Sequence, residues 1–321
     1  MLYPLKFKPI LKERLWGGTK LKSVLQKPIE SDITGESWEL SGVEGYISVV
    51  SEGSLEGTSL NSLIESYGEK LLGKSVMDRF GEDFPILIKF IDAQKDLSIQ
   101  LHPNDALAKK RHNSFGKTEM WYIMDADPNA QLIVGFNRDV AKEEYVESLE
   151  KDTLLDLLNY EAVIEGDTFF INTGKIHAIG AGVLLAEIQQ TSDITYRVFD
   201  FNRRDKNGNL RELHTELALD AIDYERKDDF KVNYPTESNI ANPMVESPYF
   251  KTNYLALDDT HVLDVSTRDS FTILMCVKGE AKVSNAEGET SVKKGETLLI
   301  GADTDRIEIA TLGARFLEVS I

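Results

Sequence analysis

Two histidines, a glutamate and a glutamine stand where strand alternation can bring them together. In Ser98-Ile99-Gln100-Leu101-His102-Pro103, period-two geometry puts Gln100 and His102 on one face of a strand and Ile99 and Leu101 on the other. An amide and an imidazole that project into a protein interior need partners, because burying them unpaired costs several kcal/mol. Glu119 opens the apolar run Met120-Trp121-Tyr122, and His177 follows the glycine turn Gly174-Lys175-Ile176. Gln100, His102, Glu119 and His177 thus form a candidate ligand set of two imidazoles, one carboxylate and one amide oxygen, which suits a borderline divalent ion such as zinc. A single carboxylate leaves such a centre net positive, able to polarise a carbonyl and hold an enediolate. Lys89 is a second signal. It is a charge inside the apolar run Ile88-Lys89-Phe90, where burial demands a partner, and so a candidate phosphate or substrate contact.

Each residue also has an ordinary reading. A lone histidine is more often a hydrogen-bonded framework residue than a ligand, and Gln100 alone reads equally well as a core amide. His112 lies in the charged run Lys109-Lys110-Arg111-His112 and reads as a solvated helical position, while His214 and His261 lack carboxylate or histidine company at ligand spacing. Arg203 and Arg204 read as surface charges, and Cys276, in an apolar strand, as packing. Other chemistries fail on spacing. Gly116-Lys117-Thr118 ends like a phosphate loop, but the residue five places before Gly116 is Arg111. Gly180-Ala181-Gly182 lacks the third glycine of a dinucleotide fingerprint, and no Gly-x-Ser-x-Gly elbow exists.

The elements that must position these residues are mainly short strands. Apolar or alternating runs recur at 47–50, 85–91, 97–101, 120–124, 132–134, 168–171, 183–188, 272–277, 298–300 and 314–319, separated by Gly, Asp and Asn. Such spacing predicts a sandwich or barrel. Helical periodicity predicts a helix over 60–80, with Leu60, Leu63, Ile64, Tyr67, Leu71 and Leu72 on one stripe, and another over 140–158 that Asp139 would cap. Residues 205–209 read as a tight hairpin turn around Asn207-Gly208, and the polar segment 228–248 as a connector.

A weak internal repeat organises the chain. Glu165-Gly166-Asp167-Thr168-Phe169-Phe170-Ile171 is similar to Lys294-Gly295-Glu296-Thr297-Leu298-Leu299-Ile300. Counting forward from each glycine sets His177 against Arg306, and aligning the preceding strands sets Glu119 against Thr272. The first copy therefore holds metal-capable residues where the second holds none, and its longer spacing requires an insertion, most of it the helical run 140–158. The expected architecture is two small barrels, with residues 1–225 equipped and residues 226–321 blank.

Composition narrows the partners. The chain has 321 residues with 36 Lys+Arg against 54 Asp+Glu, a formal charge of −18, which argues against wrapping nucleic acid or lying on an anionic membrane. One cysteine excludes an internal disulfide framework and fits a reducing compartment. With no apolar leader or long apolar stretch, the expected location is the cytoplasm. Composition leaves monomer and homodimer equally open.

At this point the motifs, taken in order, resemble a family. Gln100-Leu101-His102-Pro103, Gly116-Lys117-Thr118-Glu119-Met120-Trp121-Tyr122, and His177-Ala178-Ile179 followed by the block Glu187 to Asp200 resemble type I mannose-6-phosphate isomerase, a zinc enzyme of the cupin superfamily. Lys12-Glu13-Arg14-Leu15-Trp16-Gly17-Gly18 and Gly35-Glu36-Ser37-Trp38-Glu39 are similar to that family too. The resemblance runs to about Asp205 and is weak beyond it. It implies a mainly β fold with helical insertions, two cupin-type jelly-roll barrels, and one zinc ion held by Gln100, His102, Glu119 and His177. It further implies that Arg197 is catalytic and that Lys117 and Glu187 contact or position a small phosphorylated sugar. Longer members carry Asn-His-Lys-Pro-Glu where this chain has Phe115-Gly116-Lys117-Thr118-Glu119, and a large helical insertion, so the chain resembles the short bacterial branch. Isomerisation needs a base with a pKa near 7, and Glu187 and Lys117 both qualify by type. Two other readings stay open beside the isomerase: a non-catalytic sugar-binding cupin regulator, and an iron-dependent cupin oxygenase using His102, Glu119 and His177.

Overall fold

Alternating runs become strands wherever one face can be buried, and the computed structural model, which describes residues 2–204 and 207–321, has three sheets. Six strands lie side by side in the order Ile10–Gly18, Thr34–Leu40, Ile86–Ala93, Val183–Gln190, Glu119–Ala126 and Thr168–Ile171. Five more, Tyr196–Phe199, Ile99–Leu101, His177–Ile179, Gln131–Phe136 and Leu158–Ala162, form the facing wall. Trp16, Ile91, Trp121, Val134, Phe169 and Leu185 fill the space between them. The nine-stranded third sheet encloses Leu255, Leu274, Cys276, Leu298, Ile307 and Phe316. The two units meet back to back: Ile86, Ile88, Phe90, Met120 and Ile188 of the first share one core with Ile273, Met275, Leu299, Leu317 and Val319 of the second. Each such side chain contributes about 1.5–3 kcal/mol on burial, which joins the units firmly.

The repeat is present in the hydrogen-bond register. Glu119 faces Ile171 as Thr272 faces Ile300, and His177 and Arg306 each begin the strand that follows. The insertion lies between Gln131–Phe136 and Leu158–Ala162, where the second copy turns directly from Thr272–Asn285 into Gly288–Lys293. Strand Leu5–Lys6 crosses over to pair with Thr297–Ile300 of the second unit.

Several local expectations are corrected. The run 60–80 is three helices, Leu60–Tyr67, Glu69–Leu72 and Lys74–Phe80, because Gly68 and Gly73 take φ of 47° and 93° between them. Gly73 is required by packing as well, since a Cβ there would lie 2.5 Å from the Asp269 carbonyl oxygen. Asp269 in turn accepts from the Lys74 and Ser75 amides at 2.6 and 2.8 Å, so the second unit caps a helix of the first. The run 140–158 holds only helix Lys142–Glu150, a 3-10 turn at Leu154–Leu157 and the start of a strand. Asp139 does not cap that helix, because its side chain accepts the Arg226 amide at 2.8 Å. Residues 47–50 form isolated bridges rather than a strand. The connector 228–248 contains edge strand Ala241–Glu246, whose register shifts just after Pro243, the kind of position where a strand tolerates proline. Of the turn at 205–209, Asp205 and Lys206 lie outside the described residues; Arg204 bridges Leu210 and Gly208 has φ 83°.

Gly17 and Gly35 bring two backbones together beside Trp16 and Glu36. A Cβ on Gly17 would sit 2.4 Å from both the Gly35 nitrogen and the Ile33 oxygen, and backbone atoms cannot swing aside. Gly17→Ala is expected to cost about 1–3 kcal/mol of stability, read as a lower urea midpoint; an unchanged midpoint would show that the two strands can part freely.

Candidate active site and metal centre

Two rows of side chains face each other inside the first barrel. On one wall Arg197 pairs with Gln100 and Gln100 with His177 across adjacent strands. On the other, Trp38 pairs with Lys89, Lys89 with Glu187, Glu187 with Trp121 and Trp121 with Phe169. Register alone thus gathers all of these but Phe169, which packs in the apolar core, from roughly 160 positions of sequence into one cavity of ≈ 340 Å³.

At one end of the cavity, ligand atoms of His102, Glu119 and His177 lie within 4.8 Å of one another. All three residues are buried. His102 Nδ1 is 2.8 Å from the Ile194 carbonyl oxygen and His177 Nδ1 is 2.8 Å from that of Lys175. A carbonyl only accepts, so Nδ1 carries the proton in each ring and Nε2 turns its lone pair inward. His102 Nε2 is 3.3 Å from Glu119 Oε1, and His177 Nε2 is 3.8 Å from Glu119 Oε2. Among the described residues, His177 Nε2 and Glu119 Oε2 have no hydrogen-bond partner although both are buried. Buried acceptors left this way are costly, and a divalent cation satisfies them together. The donor set therefore fits a metal such as zinc. Gln100 lines the same cavity, with its Oε1 accepting from Ser98 Oγ at 3.3 Å.

The electrostatics favour a cation there. Burial pushes the Glu119 carboxyl up, but the Lys117 charge and His102 outweigh it and hold the group well below the usual carboxylate range. Burial, reinforced by the Lys117 charge, pulls the His102 imidazole down to about 4, which keeps the ring neutral and able to donate a lone pair. Burial also lowers His177. Lys117 Nζ forms an ion pair with Glu119 Oε1 and lies 3.2 Å from His102 Nε2.

Lys89 is buried, as its setting predicts, and its partners are explicit: Nζ donates to Glu187 Oε2 at 2.8 Å and to Gln189 Oε1 at 2.6 Å. Burial alone would lower its pKa, but Glu187 and Glu36 more than compensate and hold it above the ordinary lysine value. The other Glu187 oxygen accepts from Trp121 Nε1 at 2.9 Å. The cavity wall carries five cationic side chains, Arg14, Lys89, Lys117, Arg197 and Arg211, against three carboxylates. It is locally positive inside a chain of charge −18. Four of those cations are matched: Arg14 with Glu36, Lys89 with Glu187, Lys117 with Glu119, and Arg211 with Asp200. Among the described residues Arg197 has no carboxylate partner; it donates to Ser98 Oγ at 3.3 Å and to the Glu212 carbonyl at 2.9 Å. Its charge is unspent.

All the residues singled out by type and spacing border the cavity or its metal end, and several others join them unforeseen. Arg14 and Trp38 both bond Glu36, and Arg211 reaches the wall from a loop. His214, which had no assigned role, accepts the Arg197 amide at 3.2 Å. Arg203 is no free surface charge, because it pairs with buried Asp200. His112 is exposed at a helix end, as expected, and bonds the Tyr196 hydroxyl at 2.9 Å.

Comparison with known proteins agrees with this geometry. A family model described as phosphomannose isomerase type I, catalytic domain, matches residues 4–151, and one described as mannose-6-phosphate isomerase, cupin domain, matches 241–316. The mannose-6-phosphate isomerase ManA of Bacillus subtilis is 36% identical over 300 residues, covering 92% of each chain. The chain belongs to the type I phosphomannose isomerase family. The Streptococcus mutans mannose-6-phosphate isomerase, 30% identical over 94% of this chain and 93% of its own, is a further relative in that family. The crystal structure of mannose 6-phosphate isomerase from Bacillus subtilis superposes with a TM-score of 0.90 at 31% identity, covering both chains fully. The phosphomannose isomerase of Salmonella typhimurium shares the fold, with a TM-score of 0.81 at 19% identity. The family likeness extends past Asp205, correcting the expectation that it fades there: polar outward faces hide the second barrel's motif from inspection, yet its cupin pattern is matched over 241–316.

Proposed function

We propose that the chain is a zinc-dependent aldose-ketose isomerase that interconverts mannose 6-phosphate and fructose 6-phosphate through an enediolate. The observation that carries this reading is the meeting of His102, Glu119 and His177 at one end of a positive cavity whose unmatched cation is Arg197. Gln100, His102, Glu119 and His177 would hold one zinc ion, which supplies a fixed positive charge for sugar oxygens and for the oxyanion that develops on them.

The chain's own groups account for the rest. Arg197 offers a guanidinium that stays charged at any working pH and stabilises negative charge as the proton leaves carbon 2. Both Glu187 oxygens already accept hydrogen bonds, from Lys89 and Trp121. That supports Glu187 as the group that holds Lys89 toward the substrate and Lys117 as the group that carries the proton between carbons 1 and 2. Lys89 and the wall arginines attract the phosphate. Residues 1–225 form the catalytic part and 226–321 a supporting barrel without a metal of its own. In the second barrel Arg268 donates to Thr272 Oγ1 at 2.7 Å, placing an arginine beside the position equivalent to Glu119. The reaction uses soluble substrates and no nucleic acid or membrane partner. Among the described residues no helix is long and apolar enough to cross a membrane. We place the protein in the cytoplasm.

The deciding experiment incubates zinc-loaded protein with mannose 6-phosphate and measures fructose 6-phosphate, with and without chelator. Turnover that a chelator removes and zinc restores is the expected result. Tight sugar binding without turnover would support a regulator instead, and stoichiometric iron with oxygen uptake an oxygenase. In the same protein, Lys117→Met should abolish exchange of the carbon 2 proton with solvent more completely than Glu187→Gln does; the reverse order would exchange their roles.

A further inference from the structure

We propose that the second barrel braces the segment carrying Lys117 and Glu119, through the hydroxyl of Tyr249 and the carboxylate of Asp105, and that both are positioning residues for the reaction in the first barrel. The inference rests on Lys117 acting in that reaction. Lys117 sits in an irregular stretch between helix Asp105–His112 and strand Glu119–Ala126, so no ladder of its own fixes it. Its neighbours are fixed from one side chain. Asp105 Oδ1 accepts the Gly116 amide at 2.8 Å and Gln190 Nε2 at 3.1 Å. Gln190 then closes on the residue after the lysine: its Oε1 accepts the Thr118 amide at 2.9 Å, and its own amide donates to the Thr118 carbonyl at 3.1 Å. Gly116 is needed for this approach, because a Cβ there would lie 2.8 Å from the Asp105 nitrogen.

The second Asp105 oxygen faces the other barrel, where it accepts the Tyr249 hydroxyl at 2.7 Å. Tyr249 is itself on a fixed turn between strands Ala241–Glu246 and Lys251–Leu257. There Ser247 Oγ accepts the amides of Tyr249 and Phe250 at 3.2 and 3.1 Å. Arg79 lies over the rings of Phe80 and Tyr249, 4.6 and 5.8 Å from their centroids, and donates to the Pro248 carbonyl. Phe80 in turn meets Phe115 edge-on at 6.3 Å, one residue before Gly116. A hairpin of the second barrel thus reaches the lysine segment by a polar path through Asp105 and an aromatic path through Phe115. A carboxylate bonded on both oxygens by donors from two barrels has little freedom to rotate, and the segment it holds inherits that restraint.

The test uses the full-length, zinc-loaded protein with Tyr249→Phe, Asp105→Ala and the double variant. One hydroxyl bond at a partly exposed site changes rates by roughly fivefold. Tyr249→Phe is therefore expected to lower kcat about fivefold and Asp105→Ala about tenfold, with KM and zinc content unchanged and both proteins fully folded at the assay temperature. The double variant should be no worse than Asp105→Ala alone, since both act through one carboxylate. Amide exchange at Gly116 and Thr118 should quicken in Tyr249→Phe, which a role confined to holding the barrels together would not produce. Wild-type kcat and exchange in Tyr249→Phe, or losses that multiply in the double variant, would overturn the inference. A wild-type protein without isomerase activity would instead overturn the isomerase reading, and the exchange rates would then decide alone whether the brace exists.

Discussion

His177→Ala should leave a folded protein that holds no zinc and has lost at least about three orders of magnitude in kcat, the several kcal/mol a metal ion contributes to developing charge. The removed Nε2 is one of three buried acceptor atoms at the centre with no hydrogen-bond partner among the described residues, the other two being the Glu119 carboxylate oxygens. Without that ring, the Glu119 carboxylate and His102 leave too few donors to hold an ion. Because His177 also packs edge-on against Trp121, with ring centroids 5.3 Å apart, some stability is lost with the ring. Circular dichroism and a melting curve must therefore accompany metal analysis, so that an unfolded sample is not mistaken for an unmetallated one. Thr272→Ala, at the matching place in the second barrel, should keep a single ion and full turnover. A His177→Ala protein with stoichiometric zinc and near wild-type kcat would remove His177 from the ligand set.

Arg197→Ala should show the opposite pattern, with zinc retained and kcat reduced by roughly 10²–10³-fold, the usual cost of removing one preorganised donor to a developing oxyanion. The argument is one of charge balance. Every other cation on the cavity wall is matched by a carboxylate, so deleting Arg197 removes the unneutralised charge without exposing a buried acid. Lysine in its place would restore the charge but not the fork that reaches Ser98 and the Glu212 carbonyl together, and should recover only part of the rate. Metal content from elemental analysis and single-turnover kinetics separate the two roles. Wild-type kcat in Arg197→Ala would remove Arg197 from the reaction.

The candidate metal end was legible because its residues lie on or beside strands whose alternation is visible: His102 directly follows strand Ile99–Leu101, and Glu119 opens a run of buried side chains. Lys89 was legible for the converse reason, as a charge where the pattern calls for an apolar residue. Arg14, Glu36 and Arg211 were not, because they come from polar segments where neither period two nor period 3.6 stands out. Strands such as Gly288–Lys293 and Arg306–Ala310 escaped for a related reason: their exposed positions are charged or polar and only two residues in each are buried. The helix breaks at Gly68 and Gly73 were readable as glycines, but a continuous apolar stripe masked them, since packing against one core keeps the stripe intact across a turn. Tyr249 had no sequence signal at all; its effect depends on how two barrels are docked.

The crossover of Leu5–Lys6 onto Thr297–Ile300 has a bearing on biosynthesis. The strand made early in translation has its hydrogen-bonding partner only after residues near 300 leave the ribosome. Until then one edge of the chain stays unpaired, a hazard for association with other nascent chains. A chain cut after residue 225 would keep the candidate ligand residues yet never satisfy that strand, so expression of residues 1–225 alone should yield aggregates even though every candidate ligand is present.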